Sequence, residues 1–96
     1  MEKGDYVIVR TNIAGVFAGY FESKVLQEVT LTNARRIWYW SGAASLSQLA
    51  QEGTNNPAEC KFPCAVDRVM LLEAIEILAV TPVAKKSIEG VPIWSA

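Results

Sequence analysis

The sequence predicts an α+β fold. The expected architecture is an antiparallel β-sheet, a meander of about four strands plus C-terminal strands, with one or two short helices. Three observations carry this expectation. The first forty residues alternate apolar and polar side chains between turn residues. The next nine change to Ala, Leu and Gln at helical spacing. The tail carries Thr81-Pro82 and then Gly90, a helix start and a helix stop.

Residues 6–11 form the first expected strand. Val7 and Val9 lie on one face; Tyr6, Ile8 and Arg10 lie on the other. Asn12 and Gly15 flank a turn. Residues 15–22 set Val16, Ala18 and Tyr20 opposite Phe17, Gly19 and Phe21. Glu22-Ser23-Lys24 reads as a second turn. Residues 25–31 place Val25, Val29 and Leu31 opposite Glu28 and Thr30, with Leu26 breaking the pattern. Thr32-Asn33 reads as a third turn, leading into a fourth strand over residues 35–41.

A helix is expected over residues 43–51, where Leu46, Leu49 and Ala50 fall at i, i+3 and i+4. Ser45 followed by Gln48 matches a capping box, and Gly53 suits a stop. Residues 54–63 read as loop. Residues 66–80 carry opposed signals: Leu, Met, Ala and Glu favour helix, while residues 76–80 suit a strand. The reading adopted is a bent or interrupted strand. Thr81 then caps a short helix with Pro82 at its first position, and Gly90 ends it. Val91-Pro92-Ile93-Trp94 reads as a short edge strand.

A chain of 96 residues makes one domain with a thin core. At 51% hydrophobic it is slightly rich in apolar residues, so some apolar surface is expected to be covered by another subunit. Nine basic and ten acidic residues leave no basic stripe for a nucleic-acid polymer, although a small anion needs only two or three placed donors. No run reaches the roughly 18–20 apolar residues of a membrane span. Residues 1–5 are polar and lack the apolar core of a secretory signal, so a cytoplasmic chain is expected.

The chain has no histidine, the commonest general base. No carboxylate pair stands at a defined spacing. Cys60 and Cys64 are too few for a four-ligand zinc site. They read as structural or buried thiols, with a disulfide or an intersubunit metal site as alternatives. A non-enzymatic binding protein without metal or cofactor is the expectation.

The stretch NARRIWYWSG, residues 33–42, holds two arginines and three large aromatics. Alternation puts Arg35, Ile37, Tyr39 and Ser41 on one face and Arg36, Trp38 and Trp40 on the other. Indoles stack on flat bases, and a guanidinium forks onto phosphate. The strand feeds small residues, Ser41 to Ser45, into a helix start, where backbone amides favour anions. A structural reading competes: aromatic strands are common, and the indole face can meet helix 43–51 with Arg36 reaching over it. Candidate ligand-binding residues are Arg36, Trp38, Trp40 and Ser41. Behind them come Arg10, placed toward the face of Arg36, and Arg68, whose neighbour Asp67 offers a local ion pair. Trp94 suits an intersubunit contact.

The runs NARRIWYWSGAASLSQLAQEG, CKFPCAVDRV and TPVAKKSIEGVPIW resemble small phage proteins of the Thoeris anti-defence sponge family, and the likeness extends from Gly4 to Trp94. The resemblance implies a compact β-rich oligomer that binds nucleotide second messengers without cutting them. The implied ligands are cyclised ADP-ribose variants made by TIR-domain enzymes, and for some members cyclic oligonucleotides. It further implies pockets where subunits of a homo-oligomer meet. The motif maps onto residues 35–45 and 60–68 without saying which side chains touch ligand.

Overall fold

The computed structural model describes every residue from Met1 to Ala96. Its elements are β1 (Tyr6–Thr11), β2 (Val16–Val25), β3 (Glu28–Arg36), α1 (Leu46–Glu52), β4 (Val66–Leu71), β5 (Ala74–Ala79) and α2 (Pro82–Glu89), with a 3-10 turn at Pro57–Glu59. All strand pairs are antiparallel, in the order β4-β3-β2-β1-β5. The protein is therefore α+β, as its patterning predicts. No helix is long and apolar enough to cross a membrane.

The connection between the two edge strands shapes the sheet. Only Leu72 and Glu73 separate β4 from β5, yet these strands lie at opposite edges. Three Cα steps reach about 11 Å. The edges of a flat five-stranded sheet stand about 19 Å apart. The sheet must roll until its edges approach. Two backbone bonds hold the corner: Asn12 N–H donates to the Glu73 carbonyl, and Ala74 N–H donates to the Gln27 carbonyl, both at 3.0 Å. The expected bent or interrupted strand over residues 66–80 is this pair of edges with its corner.

Bulges supply the bend. The β2–β3 register shifts between Ala18 and Tyr20 and again between Phe21 and Ser23. At the first shift Asn33 takes the left-handed conformation, φ 45°. Gly19 lies so close to the opposite strand that a Cβ there would meet Ala34 Cα at 2.9 Å.

Alternation sorts the core into two clusters. Val7, Val9, Phe17, Phe21, Val29 and Leu31 fill one face of the rolled sheet. Tyr6, Ile8 and Ala18 on the other face meet Leu49 of α1, Ile88 of α2 and Phe62. The helices are capped as expected. Gln48 N–H donates to Ser45 Oγ at 3.1 Å, and Ala84 N–H donates to Thr81 Oγ1 at 3.1 Å.

Four expectations need correction. The turn expected at residues 22–24 lies inside β2, and the hairpin tip is Leu26-Gln27. Leu26 sits there at φ 54°, a left-handed position that costs an L side chain on the order of 1 kcal/mol. Thr32-Asn33 is a bulge within β3 and makes no chain reversal. The fourth strand expected over residues 35–41 does not form: Arg35 and Arg36 finish β3, whose free edge is already taken by β4. Residues 37–41 leave the sheet, and their one β-bridge joins Tyr39 to Lys61. The tail strand likewise reduces to one bridge, Phe62 to Ile93.

Candidate functional site

β3 ends on two arginines that face opposite ways. Arg35 lies across from Ala18 and Arg36 across from Phe17, and successive side chains on a strand alternate.

Arg35 is buried, and backbone carbonyls occupy all its donors. Nε donates to the Pro63 carbonyl at 3.2 Å. One terminal nitrogen donates to Ile88 at 3.1 Å and Val91 at 2.9 Å. The other donates to Phe62 at 2.7 Å and Pro92 at 3.4 Å. Its guanidinium carbon lies 5.4 Å from the centre of the Phe62 ring. A cation at the carboxyl end of α2 is favoured by that helix's dipole. Burial pushes the Arg35 pKa down from its ordinary value, with Tyr6 and then Cys64 opposing the shift. Burial, then Glu89 and Tyr20, pushes the Tyr6 hydroxyl upward. Arg35 is thus a tie between the sheet, α2 and the loop at Phe62.

Arg36 is exposed. One terminal nitrogen donates to the Ala14 carbonyl at 2.7 Å, and the guanidinium lies 4.5 Å from the centre of the Phe17 ring. A guanidinium has five N–H donors. No carboxylate pairs with this one; the ion pairs of the molecule are Arg10–Glu76 and Arg68–Glu22. Most of its donors therefore remain open, on a platform that fixes its position.

Arg36, Trp38 and Trp40 line one groove of about 350 Å³, together with Ile37 and the loop at Ile13 to Val16. Trp38 is 64% exposed. Trp40 is half-buried against the core beneath the helices. Both walls are anchored. Thr11 Oγ1 and Thr11 N–H donate to the Gly15 carbonyl at 2.7 and 2.9 Å, closing the loop. The Trp38 and Tyr39 amides donate to the Lys61 carbonyl, and Lys61 N–H donates to the Tyr39 carbonyl at 2.8 Å. The groove thus joins a flat indole to a guanidinium with open donors.

The other three candidates lie elsewhere. Arg10 pairs with Val16, one residue from Phe17, so it projects from the face opposite Arg36 and bonds Glu76 at 3.1 Å. Arg68 bonds Glu22 across the sheet at 2.6 Å and makes no pair with Asp67. Ser41 is woven into the loop at residues 54–60: Thr54 Oγ1 donates to its carbonyl, and its N–H meets Cys60 Sγ at 3.5 Å.

The phosphate cradle expected at residues 41–45 is filled by the chain itself. A Cβ on Gly42 would meet Asn56 N at 2.5 Å. Gln48 Oε1 accepts from the Ala44 amide at 2.7 Å, and Ser45 Oγ takes the Gln48 amide. Capping has thus used two of the amides that an anion would need, those of Ala44 and Gln48. Cys60 is buried and Cys64 exposed, and both are free thiols. No three His, Cys, Asp or Glu side chains converge as metal ligands.

A smaller cleft of about 210 Å³ lies on the Arg35 side, lined by Tyr6, Asn33, Glu89 and Ile93 among others. Its arginine has no donor left to offer. Sequence reasoning missed two parts of the larger groove. The alternation set Phe17 on the face opposite Val16 and Ala18 but gave no sign that it carries Arg36. Nothing in the sequence points to the Ala14 carbonyl as the guanidinium's clamp.

The rolled sheet and its open groove define a small α+β domain with the candidate site on one rim. The chain belongs to the family described as a domain of unknown function, DUF6948, whose model matches residues 4–88. No curated protein and no solved structure matches it.

Proposed function

We propose that the protein captures a cyclic signalling nucleotide, a cyclic ADP-ribose isomer or a cyclic oligonucleotide, and holds it without cleaving it. The observation that carries this reading is an arginine without a carboxylate partner sharing a groove with an exposed indole. Arg36 would take phosphate through its open donors. Trp38 would stack on the base, and Trp40 would back the pocket from its half-buried position. The resemblance to Thoeris anti-defence sponges supports the same ligand class. It also supports the biological role, starving a host immune effector of its activating messenger.

Small-molecule sites usually enclose about 300–1,000 Å³. One chain's groove lies near the lower bound and is open, so the reading includes a homo-oligomer in which a neighbouring copy helps to enclose the ligand. Binding without chemistry distinguishes this sponge from an enzyme.

The test is a thermal melt of the protein against cyclic ADP-ribose isomers and cyclic oligonucleotides. At a ligand concentration of about 100 times Kd, binding adds about 2.7 kcal/mol. For a domain of this size that raises Tm by roughly 10–20 °C. Heating the complex should then return the messenger chemically intact. A flat response across the panel at high concentration would remove the reading, and a cleaved product would make the protein an enzyme.

A second reading has its own observation. Tyr39, Ile93 and Trp94 are exposed, and the Lys61 ammonium lies 5.8 and 5.7 Å from the Tyr39 and Trp94 ring centres. Such a surface suits a protein partner. It predicts tight pull-down of a protein and no nucleotide-dependent melt.

A further inference from the structure

Three connections meet where the sheet rolls closed, and each exposes a large aliphatic side chain. Ile13 in the β1–β2 loop is 83% exposed, Leu26 at the β2–β3 tip 84%, and Leu72 between β4 and β5 61%. Turn chemistry ordinarily puts Gly, Asn, Asp or Ser in such places. Leu26 is the sharpest case. It holds φ 54° at the first position of a two-residue hairpin turn, where a positive φ normally selects Gly or Asn. A backbone outlier that also keeps an apolar side chain in water points to a use for that side chain.

The patch is continuous. Leu72 lines a hollow of about 400 Å³ with Ile13 and Met70, and it lines a second cleft with Val25 and Leu26. Leu26 lines the next cleft with Ile75. Val25, Met70 and Ile75 are exposed as well.

We propose that this corner is the contact face for a second copy of the chain, related by a two-fold axis. Area supports a stable contact. At roughly 100 Å² per exposed aliphatic side chain, these residues offer on the order of 600 Å². That is the top of the range for the largest patch on a monomer, and most of the ~800 Å² that each partner gives a standard interface. Shape supports a second copy over an unrelated protein. The same face presents a knob, Leu26, and an apolar hollow between Ile13 and Leu72, and a two-fold contact requires such self-complementarity. The rim carries both signs: Lys24 is in no ion pair, and neither is Glu28 or Glu73. The inference does not rest on the nucleotide reading: Arg36, Trp38 and Trp40 lie outside the patch, and Ile13 alone of its aliphatic side chains also lines their groove.

Analytical ultracentrifugation of the full chain from about 1 to 200 µM tests it. The expected result is a two-copy mass at the upper concentrations. Leu26→Asn and Leu72→Asp should each weaken association by on the order of 100-fold. Asn tolerates the left-handed backbone, so Leu26→Asn should keep the native circular dichroism spectrum and an equal or higher Tm when dilute. Val83→Asp, at an exposed position on α2, should leave the mass unchanged. A monomer at every concentration would overturn the proposal and leave the corner to a different protein or an apolar surface. A dimer unaffected by both leucine variants would overturn it too.

Discussion

Arg35 and Arg36 are neighbours in the chain and opposites in use. The first is buried and gives every donor to backbone carbonyls. The second is exposed and gives one bond to a carbonyl while lying on a phenyl ring. The difference teaches that a basic pair cannot be read by charge alone. What decides function is the number of donors the fold leaves open. By that measure the Arg35 side is architecture and the Arg36 side is the candidate site.

The comparison breaks most visibly at Arg35. Arg35→Ala strands several buried carbonyls and should cost about 3–5 kcal/mol, lowering Tm by well over ~10 °C in a thermal melt. Arg35→Lys brings three donors to the same carbonyls and should recover part of that loss.

The register that turns one arginine inward comes next. Gly19→Ala drives a methyl into Ala34 and should cost about 1–3 kcal/mol in a urea titration. A neutral result would mean that the bulge does not fix the phase of β3.

Alkali should separate the two sides. The unfolded chain releases the Tyr6 proton near pH 10, whereas burial and Glu89 hold it on in the folded state. The native state then binds more protons, so stability falls as pH rises above that point, by about 1.4 kcal/mol per pH unit. The difference between wild type and Tyr6→Phe, melted across this range, isolates the effect.

Arg36→Ala is the mildest for the fold. It loses one hydrogen bond and a contact with Phe17, about 1 kcal/mol or less, while the nucleotide-dependent melt should vanish. Equal stability losses at Arg35 and Arg36 would erase the distinction.

Much of the fold was legible because local chemistry agrees with it. Alternation split Val7 and Val9 from Tyr6 and Ile8 within the first strand, and Phe17 and Phe21 from Ala18 within the second; the structure sends these sets to two clusters where one thin core was expected. Ser45 with Gln48 and Thr81 with Pro82 marked both helix starts. The hairpin tip was misplaced because Leu26-Gln27 carries no turn signal, while Ser23 beside it does. The fourth strand was misjudged because a strand needs a free neighbour, and β4 arrives from thirty residues later in the chain to take that edge.

At the site, alternation separated Arg35 and Ile37 from Arg36 and Trp38, but it failed where the chain leaves the sheet: Trp40, expected on the face of Arg36, packs against the cluster of Ile37, and Tyr39, expected beside Ile37, is exposed. It could not reach Arg35's partners at Phe62, Pro63, Ile88, Val91 and Pro92, which tertiary folding alone brings together. Nor could it see that Ser41 would be tied to Thr54, Asn56 and Cys60.

The most direct measurement follows the indole N–H signals of Trp38, Trp40 and Trp94 by NMR while a cyclic ADP-ribose isomer is added. Capture in the groove predicts saturable shifts at Trp38 and Trp40, little movement at Trp94, and loss of all of them in Arg36→Ala. Indole signals that stay in place with every cyclic nucleotide tried, or a response confined to Trp94, would contradict it.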